Sequence, residues 1–536
     1  MHRSIRFQVL AACCFFILAG SAVIPYAGIQ NDESLFLAPL YLKNPKEMSF
    51  NVFHHTIPLM VMTYIGTLKT LIYAPIVALF GASVWTLRLP TVIIGTLTVF
   101  FFFRLALRIT SAQGAAIAGL LLATDPIFLL TNTIDWGPVA LGHFLLVTGC
   151  LCLVRFAQDW PVRTDSMRYL ALGFFLLGLG LWNKALFFWV LGGLGAGSVL
   201  FLPELKRLFT WKNARIAAAA FVLGSFPFLL YNVRHPNATL SASAHFDPVS
   251  LAMRKFASLT GTLDGSGLLG YFTTESWDVA NPKTPATLHG RFAWWVEQKF
   301  GTHRHDGMNY AFAASLLLLP YWRRVRAAWF SLIFMAVTWA LMAMTTNAGG
   351  AVHHAVLLWP FPHLFVALAL ASIRWKRVGA AVCGVLVVMN LLVIAKYIAD
   401  YERNGPGPVY TDAFFRLSDA LQDPPGHKED HRLWVMDWGI LNGILFTHQG
   451  RIAVRVGEPP FMTDNPGPAD RKMIDYVMKD RDALFVGHVA DREIMKGAAR
   501  RLEAEAAAVG LRKEVLQTIS DTNGRPVFEI YRLVSQ

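Results

Sequence analysis

Successive apolar runs, each close to the ~20 residues an α-helix needs to cross a hydrocarbon core, constrain this chain more than anything else in it. They fall near 7–25, 89–108, 114–133, 136–154, 169–182, 184–202, 215–231, 309–322, 327–344, 354–373 and 378–397. A helix crosses lipid because it satisfies its own backbone hydrogen bonds, so the pattern predicts about eleven transmembrane helices, some of them short for a crossing. With 536 residues, 54% hydrophobic and 15% charged, the chain is too apolar and too long for one soluble core. The expected fold class is a polytopic α-helical membrane protein.

The formal net charge is +13, and its placement decides its meaning. Arg3 and Arg6 precede the first run, and Arg104 and Arg108 follow the second. Further groups are Arg155, Arg163 and Arg168; Lys206, Arg207, Lys212 and Arg215; Arg323, Arg324 and Arg326; and Arg374, Lys376 and Arg377. All occupy alternate loops. That is the positive-inside pattern, which predicts a multi-pass protein of the plasma (inner) membrane with its amino terminus cytoplasmic and its carboxyl terminus outside. Topology accounts for the excess base, and no nucleic-acid partner is expected. The opening residues also have the outline of an export signal ending at Tyr26-Ala27-Gly28, but the length of the run and the spans after it favour a retained first helix. Cys13, Cys14, Cys150, Cys152 and Cys383 all lie within predicted spans and give no sign of a disulfide framework or metal cage.

The chemistry must then sit in the loops. Two outer loops are long, 26–88 and 233–308. The first holds Ile29-Gln30-Asn31-Asp32-Glu33-Ser34, two adjacent carboxylates just past a span with no base beside them. Such a pair can simply mark where a helix meets water. Downstream, 64–81 predicts an interfacial helix with Lys69 on its wet side, where a snorkelling lysine also fits. Asp125, deep in the third run, must face the bundle or mark a break, because an ionised carboxylate in lipid is costly. Asp135, Lys184, Tyr231, Arg234, His353 and His354 all fall at the outer ends of spans, on the side of Asp32. Neighbours on a helix point ~100° apart, so Asp32 and Glu33 cannot both face one centre. For the same reason the two histidines make no bidentate metal site, and both interface hydrogen bonding and ligand contact stay open for them. The loop 233–308, with Phe272, Trp277, Trp294 and Trp295, suits a lid or an acceptor surface.

From about 399 the hydropathy falls, which predicts a second, aqueous domain, 399–536, outside the membrane. Strands are expected at 433–438, 483–486 and 527–531, and helices at 411–422, 468–479 and 490–509, a small α/β sandwich. It lacks a G-x-G-x-x-G or phosphate loop, so nothing points to a nucleotide there.

Acids and bases converging on one rim suit a reaction between a lipid-borne phosphate and a polar acceptor: the bases hold the phosphate while a carboxylate takes a proton. In order and sidedness, these residues resemble the GT-C glycosyltransferases that use polyprenyl-phosphate sugars, the group of the protein O-mannosyltransferases and the lipid A aminoarabinose transferase. Asp32-Glu33 resembles that family's signature after the first span. Lys69, ahead of Tyr73, Leu79-Phe80-Gly81 and Arg88-Leu89-Pro90-Thr91, is similar to the stretch whose lysine meets the carrier phosphate. Asn132 to Asp135 resembles its outer-face aspartate element, Asn183-Lys184 its Thr-Lys-Gly turn, and 231–236 its element with a phosphate-binding arginine. The likeness covers roughly 7–240, and departs at Asn183 and Ala185, which replace the usual neighbours of the lysine.

The resemblance implies a GT-C-like transmembrane domain, 1–398, a polyprenyl-phosphate sugar donor, membrane lipid around it, and a protein, lipid or glycan acceptor on the outer face. It implies inverting transfer with Asp32 as general base. Glu33 and Asp135 would be further catalytic carboxylates, Lys69, Arg234 and Lys184 would hold the donor phosphate, and Tyr231, His353 and His354 would contact substrate. An adjacent Asp-Glu is not an Asp-x-Asp pair, so no cofactor or obligatory metal is expected. The reading from another class is a transporter or lipid flippase, which calls for inverted repeats and ionisable groups near the midplane.

Overall fold

Capping chemistry sets where the apolar runs become helices. The computed structural model describes residues 3–42, 47–52, 55–160, 162, 166–243, 250–346, 348–422 and 432–536; Arg163 lies outside them. Helix α1 is Arg3–Val23, and a single turn, α2, Asn31–Ser34, follows it. Next come α3, Leu68–Phe80, and α4, Val84–Ile109, which opens with a reciprocal capping box between Ser83 and Thr86. Ser111 caps α5, Ala112–Thr124, and Asp125 caps α6, Pro126–Thr131, with proline at the first helical position. The chain continues through α7, Val139–Asp159; α8, Met167–Asn183; α9, Phe187–Ser198; α10, Leu202–Leu208; and α11, Trp211–Arg234.

The long loop that follows contains α12, Ala238–Ser243; α13, Ser250–Leu263; and α14, Leu288–Phe300. The bundle resumes with α15, Met308–Leu317; α16, Leu319–Trp322; α17, Arg326–Ala343; α18, Val352–Ala355; α19, Phe361–Ser372; and α20, Lys376–Asn404. Among the described residues, seven helices are long and apolar enough to cross a membrane, and the pair Val352–Leu358 and Phe361–Ser372, bent by 42°, makes an eighth. The runs expected as further spans form the shorter apolar helices α5, α8 and α15. The chain is a multi-pass membrane protein.

Contacts between helix ends sort the bundle into two poles. At one, Arg108 meets Gln158 and Asp159, Gln113 donates to the Lys376 carbonyl, and Arg326 pairs with Glu204. The basic loops of the sequence gather there. At the other, the start of α4 meets the end of α1, Lys69 meets Asp135, and Tyr26 meets Glu402 near the end of α20.

At this second pole lies a small antiparallel sheet of β1, Met48–Val52; β2, His55–Met62; and β3, Ile65–Gly66, which the sequence reading did not foresee. Past α20, which runs beyond position 399, come α21, Ala413–Ala420; β4, Leu433–Val435; α22, Leu441–Thr447; and β5, Val454–Val456. Then follow α23, Pro468–Lys479; β6, Leu484–His488; α24, Ala498–Ala508; β7, Leu511–Ser520; and β8, Pro526–Ser535. The five strands lie in the order β5-β4-β6-β8-β7, with β4 parallel to β5 and β6, and β8 antiparallel to β6 and β7. β4 is buried along its whole length, as an inner parallel strand must be. The pattern had shown neither β5, β7 nor α22, and the helix expected from 490 begins at Ala498.

This sheet unit does not stand apart. Phe414, Leu417, Ile440, Ile444 and Phe446 share one apolar core with Ile29 and Leu37, with Tyr73 and Val77 of α3, and with Leu87 of α4. The loop that carries Asp32 is thus clamped between the bundle and the C-terminal unit.

Candidate active site

The turn α2 starts because the Gln30 side chain accepts the Asp32 N–H at 2.6 Å, which fixes the first helical residues. Its two carboxylates then part company, as adjacent helical positions must. Glu33, 1% exposed, turns inward to a bidentate pair with Arg88, at 2.7 Å from Nε and 2.9 Å from Nη2. The remaining Arg88 donors go to the carbonyls of Ile24 (2.6 Å), Ala27 (2.8 Å) and Gly28 (2.8 Å). Glu33 therefore braces the turn through Arg88 and does not face the open side where Asp32 points. Arg88→Met would leave a buried carboxylate without its partner, and we expect a loss of about 3–5 kcal/mol in stability. A fall in the thermal midpoint in detergent would register it; an unchanged midpoint would show that the pair is dispensable.

Asp32, half-buried, is not part of the Arg88 pair and lies near the Trp136 and Asn31 side chains. Burial pushes its carboxyl above the ordinary range, and the nearby Lys184 ammonium pulls it back. Lys184 stands just past the end of α8, where its backbone bridges to Ile65 of β3. Gly137, at φ +77°, makes room for it: a Cβ there would lie 3.2 Å from the lysine Nζ. Burial pushes the Lys184 ammonium down to about 8, against the opposing pull of Asp32 and Asp135.

Lys69 corrects an expectation. It is not on a wet face but 2% exposed, its ammonium 2.6 Å from Asp135 and over the rings of Phe36 and Tyr73. The reason is the stripe of α3 that turns inward, Lys69, Thr70, Tyr73 and Val77, while Leu71, Ile72, Leu79 and Phe80 stay exposed. Pairing with Asp135 replaces snorkelling. Asp135 also accepts the N–H groups of Val139 and Ala140, so it caps α7 while holding the lysine.

His353 and His354 sit on α18, their ring centroids 4.0 Å apart, with His353 also 4.0 Å from the Trp136 ring. Both Nδ1 atoms are buried without a hydrogen-bond partner in the described structure. Asn347, in the loop ahead of them, lies outside the described residues. Trp136 stacks on Tyr271 at 4.8 Å, so this indole joins His353 to the long loop. Only its place beside Asp135 in the sequence could have singled it out.

Tyr231 and Arg234 lie to one side, against the small sheet. The Tyr231 hydroxyl donates to Glu47 at 3.0 Å, and the exposed Arg234 guanidinium lies 5.4 Å from the Phe50 ring centroid. Among the described residues, neither hydrogen-bonds or pairs with Asp32, Lys69 or Lys184. Asp125, the deep acid, caps α6 and takes donors from Trp359 at 3.2 Å and His363 at 2.9 Å, so the helix breaks there and the carboxylate faces the bundle.

An acid and a base lie near enough to feel each other's charge at one pole of a multi-pass bundle, with a second lysine and two histidines close by. Residues 68–231 match the family model described as dolichyl-phosphate-mannose-protein mannosyltransferase. The chain has the GT-C fold, the fold of the glycosyltransferases that use polyprenyl-phosphate sugars. Among solved structures it is similar to ArnT from Cupriavidus metallidurans bound to undecaprenyl phosphate, with a TM-score of 0.59 at 12% identity over 98% of this chain and 97% of that one. It is also similar to the oligosaccharyltransferase of Archaeoglobus fulgidus in complex with Zn and sulfate, with a TM-score of 0.52 at 12% identity over 90% of this chain and 68% of that one. No curated protein sequence matches it.

Proposed function

We propose that the protein is a membrane glycosyltransferase that moves a sugar from a polyprenyl-phosphate donor to a hydroxyl or amine of a protein, lipid or glycan acceptor. The observation that carries this reading is two buried lysines at the Asp32 pole, Lys69 paired with Asp135 and Lys184 beside Gly137, with the Lys184 ammonium near enough to Asp32 to pull on its carboxyl. Asp32 takes the acceptor's proton as its oxygen or nitrogen bonds to the anomeric carbon. The bond from that carbon to the phosphate oxygen breaks on the opposite face, so the configuration inverts. Lys184 offsets the charge the phosphate gains, and Lys69, held by Asp135, adds to the same field. The unpartnered Nδ1 atoms of His353 and His354 suit the hydroxyls of a sugar. Tyr231 and Arg234 fit a role further from the reacting carbon, toward the carrier or the acceptor.

The basic loops at the far pole support a topology in which the Asp32 pole opens outside the plasma membrane and the amino terminus is cytoplasmic. On that topology the chain divides into a transmembrane part, 1–398, and an outer α/β part, 399–536. Incubating purified protein with a panel of polyprenyl-phosphate sugars and a membrane extract tests the activity. Consumption of one donor with release of the polyprenyl phosphate is the expected result; a panel left wholly intact beside a labelled lipid that crosses the bilayer would favour a flippase. Chelation is expected to leave the rate unchanged, and activity lost to a chelator and restored by a divalent ion would overturn the metal-free mechanism.

A further inference from the structure

We propose that the cleft between the end of α20 and the start of α21 binds a sugar ring of a glycan acceptor, a few sugar units back from the group that receives the transferred sugar. The acceptor role rests on the reading of the chain as a glycosyltransferase; the binding itself does not. The cleft measures about 410 Å³, within the ~300–1,000 Å³ of small-molecule sites. It lies where Tyr26, Glu402 and the C-terminal unit meet, at the pole of Asp32.

Its polar wall holds groups that the fold has left unspent. Asp412 stands at the N-cap position of α21 without capping it. Its Oδ1 instead accepts the Thr522 N–H at 3.0 Å, and its Oδ2 has no hydrogen-bond partner among the described residues. Arg416 follows one turn later, a spacing at which aspartate and arginine ordinarily pair. Here its Nη1 is drawn away to the carbonyls of Ser520 at 2.7 Å and Asp521 at 2.8 Å, and its Nε and Nη2 donate to nothing among the described residues. A free acceptor and a free donor edge thus line one cleft without closing on each other.

The apolar wall is Tyr26 and Phe415, both part-exposed. Tyr26 stacks on the buried Tyr401 at 5.4 Å and 11°, and its hydroxyl is pinned between Glu402 and His289 Nε2, each at 2.5 Å. Glu402 is fully spent, because its oxygens also take the Thr287 hydroxyl and the N–H groups of Ala286 and Thr287. The two walls are tied together: the Gly28 N–H donates to the Tyr410 carbonyl at 2.7 Å, and a Cβ on Gly28 would lie 1.9 Å from the Thr411 oxygen.

A sugar ring fits this chemistry. Each hydroxyl both donates and accepts, so neighbouring ones satisfy Asp412 and Arg416 while the C–H face lies on an aromatic ring. A phosphate would meet the open Asp412 oxygen, and a metal ion would meet Arg416. A peptide strand seeks a row of free backbone groups, whereas the open groups here are side chains. The six positions from Tyr26 to Asp32 extend to at most about 20 Å, so a chain of a few sugars reaches from the cleft to the base.

The test is binding of trisaccharides of glucose, mannose, galactose and N-acetylglucosamine to the full chain in lipid nanodiscs free of sugar-headed detergent, read by saturation-transfer NMR beside a set of tripeptides. One trisaccharide should bind, and Asp412→Asn and Arg416→Lys should each weaken it by about 10- to 100-fold, the scale of a hydrogen bond to a charged group. The first variant keeps an oxygen for Thr522 and the second a cation for the two carbonyls; if Arg416→Lys fails to fold, Asp412→Asn carries the test alone. A panel left unbound, binding untouched in the folded variants, or tripeptides bound in place of sugars would each overturn the proposal. In turnover, the same variants should raise the KM of a glycan acceptor and leave the donor KM within about twofold. A bound trisaccharide with no donor consumed sinks the transferase and leaves the cleft; donor consumed with the panel unbound sinks only the cleft.

Discussion

Asp32→Asn should leave a folded protein that binds donor lipid and transfers sugar about 10²- to 10⁴-fold more slowly, the range that a positioned general base contributes. The amide is nearly isosteric, and the Asp32 backbone N–H keeps its bond to Gln30, so packing at α2 is kept. What is lost is the capacity to take a proton and the negative charge facing Lys184. Loss of that charge pushes the Lys184 ammonium further down, so donor binding should be compared at a pH below 7, where the lysine stays cationic. Wild-type turnover by this variant would remove Asp32 from the reaction.

The second large effect concerns Lys184. A base that must be ionised and an acid that must stay charged give a bell-shaped rate profile. Asp32 lies above the ordinary carboxyl range, so the rate rises as pH climbs through its raised value. Lys184 is pushed down to about 8, so the phosphate grip is lost as pH climbs past that point. Lys184→Arg should abolish the alkaline limb, because a guanidinium does not titrate in this range, while retaining part of the rate. Lys184→Met should lose about 10²- to 10³-fold in kcat, the usual cost of one charge-stabilising donor. An alkaline limb still near 8 in the arginine variant would assign that titration to another group.

Hydropathy alone located the bundle, because lipid imposes its requirement on every residue of a span at once. The division of charged residues between two ends of the bundle was legible for the same reason: loops alternate, and the basic ones declare themselves. Partners were not. Lys69 was expected in water because its neighbours are apolar, and nothing at position 69 announces a carboxylate 66 residues away. Glu33 was grouped with Asp32, although Arg88, 55 residues downstream, had already claimed both its oxygens. The sheet of β1, β2 and β3 is too short, and its middle strand too mixed, for a period-two pattern to stand out. Trp136 went unremarked because an indole at a membrane boundary is common, and only its ring contacts with His353 and Tyr271 set it apart. Tyr231 and Arg234 fit the order of a family pattern, yet in space they stand beside Phe50 and Glu47.

The tie between Gly28 and Tyr410 also bears on how the protein is made. A chain leaving the ribosome presents its acidic turn early, while the segment that must close over that turn is still hundreds of codons from translation. Until Tyr410 and α22 arrive, the turn lacks one of its two jaws, and a nascent or prematurely stopped polypeptide would sit in the bilayer with its helices inserted and its chemistry switched off.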